Sequence, residues 1–129
     1  MKLRNLVAAV VLMGIQTHSY AENSLTGVQL KELFANKTCD IEKVNVNNEK
    51  KRYLNAYTAE DGVRLVYIPW KNKTSERRWW VEDNKYCGSY PDKKGYCRTI
   101  VDAGNGVYHA IDNGEHIRTF SNFRDGNQL

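Results

Sequence analysis

The chain has 129 residues, 19 of them basic and 15 acidic, for a formal charge of +4. That length allows one domain with a modest core, and no fixed-period repeat or low-complexity tract points to a solenoid or a disordered polymer. Lys and Arg are interleaved with Asp and Glu, which argues against a nucleic-acid partner.

The N-terminus carries the three parts of a secretory signal. Lys2 and Arg4 form a positive region, Leu6 to Ile15 an uncharged apolar run, and Ser19-Tyr20-Ala21 a small-residue cleavage site. Ten apolar residues are too few to span a bilayer about 30 Å thick. Residues 1–21 are therefore expected to be removed, leaving 22–129 as a single small β-rich exported domain, periplasmic or secreted, with no stable membrane span. Loss of Lys2 and Arg4 leaves 17 basic residues against 15 acidic ones, a net of +2.

One helix is expected at the start of the mature chain. Thr26 can cap it, Gln29 completes a capping box, and Leu25 and Leu30 can form a hydrophobic staple. Leu30, Leu33 and Phe34 fall on one stripe, and Asn36 is a stop.

Beyond Asn36 the period changes to two. Strands are expected over Thr38 to Val46, Arg52 to Thr58 and Val63 to Trp70, with turns at Asn47-Asn48-Glu49 and Ala59-Glu60-Asp61-Gly62. In the third strand Val63, Leu65 and Tyr67 alternate with Arg64, Val66 and Ile68. Lys71 to Glu76 reads as a polar loop before the strand Arg77 to Glu82. Lys85 to Ser89 and Tyr96 to Val101 flank a turn-rich loop. Val107 to Asp112 and Glu115 to Ser121 flank Asn113-Gly114, and Asn122 to Leu129 show no period. About eight short strands near ten-residue spacing, after one short helix, define a mainly β fold: an antiparallel meander, barrel-like or a sandwich.

The chain has three cysteines. In an oxidising compartment Cys87 and Cys97, which enclose nine residues of the turn-rich loop, are the expected disulfide, leaving Cys39 as the odd thiol.

The run Leu25-Thr26-Gly27, Leu30, Leu33-Phe34 and Thr38, followed by Asp61-Gly62, Trp80, Cys87, Cys97 and Gly126-Asn127, resembles a group of small exported proteobacterial proteins of unknown function. In that group a Leu-Thr-Gly-led helix precedes a β-meander with a Gly-x-Trp element and a two-cysteine hairpin. Here Arg78 stands in place of that glycine. The resemblance implies the fold and the periplasm, and no chemistry.

No catalytic motif is present, and no cofactor or metal is called for. An Asn113-Gly114 turn would pair Ile111 with His116 and His109 with Arg118, placing both histidines on one face beside that arginine. They are the only candidates for the base of a small envelope hydrolase, the alternative to a non-enzymatic accessory or binding protein. For ligand binding, Trp70, Trp79, Arg77 and Arg78 combine aromatic surface with cations, which suits glycans, headgroups or anionic polymers. A second basic cluster lies at Lys50-Lys51-Arg52. The expected partner is an envelope ligand or protein.

Overall fold

A computed structural model describes residues 23–44, 52–91 and 94–129. The expected signal peptide, the turn at Asn47-Asn48-Glu49 and the Lys50-Lys51 pair lie outside them. Helix α1 (Gly27–Phe34) precedes β1 (Lys37–Lys43), β2 (Arg52–Thr58), β3 (Val63–Ile68), β4 (Lys73–Glu82), β5 (Lys85–Ser89), β6 (Tyr96–Gly104), β7 (Val107–Asp112) and β8 (Glu115–Asp125). Each strand pairs antiparallel with its neighbour in the chain, and β8 returns to β1, so the meander is a closed barrel and not a sandwich.

The helix forms where its end signals place it. The Gln29 amide donates to Thr26 Oγ1 at 3.3 Å, and the Thr26 amide donates to Gln29 Oε1 at 2.9 Å. Eight residues are too few for a stable free helix, so the apolar stripe must dock. Leu30 and Phe34 are buried, and the Phe34 ring lies 4.5 Å from Tyr86, 5.3 Å from Phe120 and 5.5 Å from Phe123. Ahead of the helix, the Leu25 amide donates to Ile100 O at 2.8 Å and Ser24 bridges Val101. This segment covers the part of β6 beyond the short β5 ladder, which pairs only Tyr86, Cys87 and Gly88 with Arg98, Cys97 and Tyr96.

Several strand bounds depart from the sequence reading: β3 stops at Ile68, ahead of Trp70, and β6 runs past Val101 to Gly104. The polar run before Trp79 is strand from Lys73 onward, because Ser75, Arg77 and Trp79 turn inward while Glu76, Arg78 and Trp80 face water. An outer face in solvent needs no apolar residue, so composition alone reads as loop. Strand β8 likewise runs past Ser121 to Asp125, kinked at Asn122 (φ 53°) where its register with β1 shifts.

The seam between β1 and β8 is clasped by Asp40. Its carboxylate accepts from Asn55 at 2.7 Å, Asn122 at 3.0 Å and Arg124 at 3.2 Å. Partial burial pushes the Asp40 pKa up, but these bonds to the charged form outweigh it and hold the carboxyl below its ordinary value.

Cys87 and Cys97 stand directly opposite in the β5–β6 ladder and are bonded, and Cys39 is a buried thiol. Burial raises its pKa to about 12. Replacing Cys87 and Cys97 together by serine is expected to lower stability by roughly 2–3 kcal/mol, the loop entropy released in the unfolded chain. Urea titration with and without the bond measures this; an unchanged midpoint would show that the ladder alone holds the loop.

Candidate functional site

The inner face of the barrel is apolar near the helix and basic elsewhere. Lys43 follows Ile41 on β1, Arg77 precedes Trp79 on β4, Arg98 precedes Ile100 on β6 and Arg118 precedes Phe120 on β8, each sharing a face with a buried residue two positions away. Arg64 on β3 is itself buried, at 5% exposure, beside Val66 on the same face. These five cations line one small void together with Tyr90 and Tyr96. Ile41, Leu54, Tyr86 and Phe120 complete its wall. Tyr86 and Phe120 also touch Phe34, so the helix plug and the basic site rest on the same two rings.

Strand register sets like charge against like charge. Lys43 is directly opposite Arg52 on β2 and Arg118 on β8, and Arg64 is directly opposite Arg77 on β4. Like charges in register destabilise a sheet. Three of the pKa shifts follow the same crowding, whereas that of Arg64 goes up, its burial being outweighed by Tyr86 and Tyr96. Lys43, Arg77 and Arg118 are all pushed down, first by burial and then by a neighbouring cation: Arg118 for Lys43, Arg64 for Arg77 and Arg98 for Arg118.

Aromatic rings offset part of this repulsion. Arg64 lies 5.7 Å from the Tyr86 ring centroid, Arg77 4.9 Å from Tyr90 and Arg98 3.9 Å from Tyr96. Arg64 also donates to Tyr96 Oη at 3.1 Å. Close approach of Tyr96 depends on Gly88, opposite it in the ladder, where a Cβ would lie 2.6 Å from the phenol oxygen. Tyr90 lines the same void; burial raises its pKa, but the cations, Arg98 first, bring it below the ordinary value.

The described residues that line the void include no carboxylate. Among the described residues, Asp112 forms an ion pair with the cluster, at 3.9 Å from Arg98 Nε, and it is half-exposed. The Nε groups of Arg64 and Arg98 are buried without a hydrogen-bond partner among the described residues. An unmade bond to a buried charged donor costs more than the typical 1–3 kcal/mol of a neutral group.

The residues singled out from sequence do not share one surface. Arg77 enters the lumen, while Trp79 is core, its indole donating to Ala59 O at 2.6 Å. Arg78 is on the outside, and Trp70 is exposed on the turn Pro69–Lys71, where Arg52 lies over its ring at 5.2 Å. Alternation along β4 separates neighbours that the sequence shows side by side.

His109 and His116 do meet, with ring centroids 3.7 Å apart, and His116 Nε2 is 2.9 Å from Thr119 Oγ1. The expected pairing holds from Asp112 to Ile111, after which the register slips at Ile117, so His109 faces Thr119 and Ala110 faces Arg118. The slip turns Arg118 into the lumen, away from the imidazole pair. Burial and then His116 lower the His109 pKa.

A larger depression, about 650 Å³, lies between α1 and β4. Its charges are mixed, with Lys31 and Arg78 against Glu32, Glu60 and Asp61, and it opens to solvent. The group Glu82, Cys87 and Cys97 has metal-ligand spacing, but both sulfurs are in the disulfide. No helix among the described residues is long and apolar enough to cross a membrane.

No protein-family model, curated protein or solved structure matches the chain.

Proposed function

We propose that this is a non-enzymatic binding protein of the cell envelope, periplasmic or secreted, whose ligand is an anion held inside the barrel. The observation that carries this reading is the inward register of Lys43 against Arg118 and of Arg64 against Arg77. A fold selected for stability alone gains nothing from opposing cations, whereas an anion between them converts repulsion into charge-assisted hydrogen bonds. The intramolecular disulfide is compatible with an oxidising compartment, and the leader-like sequence of residues 1–21 supports export.

Binding to the folded state raises its stability by mass action. A multivalent anion at about 100 times its Kd contributes about 2.7 kcal/mol, a rise in Tm of roughly 10 °C for a domain of this size. Thermal unfolding of the oxidised protein at constant ionic strength, across a panel of anions, reads this directly. If every anion shifts Tm no more than sodium chloride does, the reading fails.

A further inference from the structure

We infer that the occupant of the barrel is a tetrahedral dianion, phosphate or sulfate, either free or as the terminal group of a larger molecule. This inference rests on the anion-binding reading and deepens it.

The first argument is directional. Lys43, Arg64, Arg77, Arg98 and Arg118 stand on β1, β3, β4, β6 and β8, distributed around the whole circumference of a closed barrel. A planar carboxylate accepts hydrogen bonds in one plane and from one side. A tetrahedral oxyanion presents oxygens on every side, so donors arriving from all round the wall can each reach one.

The second argument is charge. Five cations face the one ion-paired carboxylate described there, Asp112, which is itself half-exposed. A monoanion leaves most of that excess in place, whereas a compact dianion lowers the repulsion of several pairs at once.

The third is size and vacancy of donors. The void measures about 20 Å³, close to the space of a single water, and its wall below is formed by Ile41, Leu54 and Phe120. A tetrahedral oxyanion is larger than one water, so it enters by displacing the Tyr90 side chain, which lines the void with Arg77 over its ring. The buried Nε of Arg64 and that of Arg98 lack an acceptor among the described residues, and an oxyanion supplies one to each.

Isothermal titration of the oxidised protein tests this with inorganic phosphate, sulfate, glycerol phosphate, acetate and malonate at matched ionic strength. Phosphate or sulfate should bind at least tenfold tighter than acetate or malonate. Tighter binding of glycerol phosphate than of inorganic phosphate would identify an ester-borne group; the reverse order would identify the free ion. Arg98→Gln and Arg118→Gln should each weaken binding at least tenfold, with folding verified by circular dichroism, while Arg78→Gln on the outer face leaves it unchanged. Malonate or acetate binding as tightly as phosphate and sulfate would overturn the tetrahedral assignment and leave the anion-binding reading standing. Binding by none of the five would overturn both.

Discussion

Arg64→Met is expected to stabilise the ligand-free protein by about 1–3 kcal/mol while abolishing its thermal response to anions. Both halves follow from one fact: a guanidinium 5% exposed, opposite another arginine, with an unpartnered Nε. Removing a buried charge in favour of an apolar side chain of similar volume is commonly neutral or stabilising by that amount. The Tyr96 bond and the stacking on Tyr86 oppose the gain, which is why the expected figure stays at a few kcal/mol. Urea unfolding in the absence of multivalent anions gives the first number, and the Tm panel gives the second. A variant that loses stability would mean that Arg64 holds the barrel together through Tyr96 and Tyr86, and a structural role would then suffice for it.

The largest destabilisation is expected from Phe34→Ala, at about 3–5 kcal/mol. Phe34 is 1% exposed and packs against three aromatic rings that belong to β5 and β8. Truncation leaves a cavity at the centre of that cluster, and an eight-residue helix has no independent stability with which to stay docked. Against a total of 5–15 kcal/mol for an ordinary domain, the loss is a large fraction of the whole. The urea midpoint and far-ultraviolet circular dichroism measure it. A loss below about 1 kcal/mol would show that the barrel folds without its plug, since core truncations of this kind rarely cost so little.

Much of the architecture is written in local signals. Thr26 with Gln29 starts the helix, Asp61-Gly62 and Asn113-Gly114 turn the chain with glycines at φ 97° and 78°, and Cys87 faces Cys97 as their spacing implies. These depend on neighbours within a few residues, which a sequence displays. Closure of the barrel depends on β1 meeting β8, which it does not display.

The basic lumen was the part hardest to read, because Lys and Arg are ordinarily solvated and their usual place is the surface. A signal was nonetheless present. Arg64 shares its alternation face with Val66 and Ile68, Arg77 with Trp79, Arg98 with Ile100 and Arg118 with Phe120. A cation on the apolar face of one strand is unremarkable; the same placement in four strands of one meander predicts a charged interior. Arg118 was obscured further by the register slip at Ile117, which no short-range rule anticipates. Grouping Trp70, Trp79, Arg77 and Arg78 by closeness in sequence missed the point that strand neighbours diverge.

The seam between β1 and β8 differs from the other seven. Every other ladder joins strands consecutive in the chain, whereas this one brings Lys37 beside Asp125. Until β8 is in place, any partly assembled barrel presents two bare edges, those of β1 and β7, each a template for another chain's strand. The eleven residues of β8 thus decide whether a newly made chain seals its own strand edges or offers them to its neighbours.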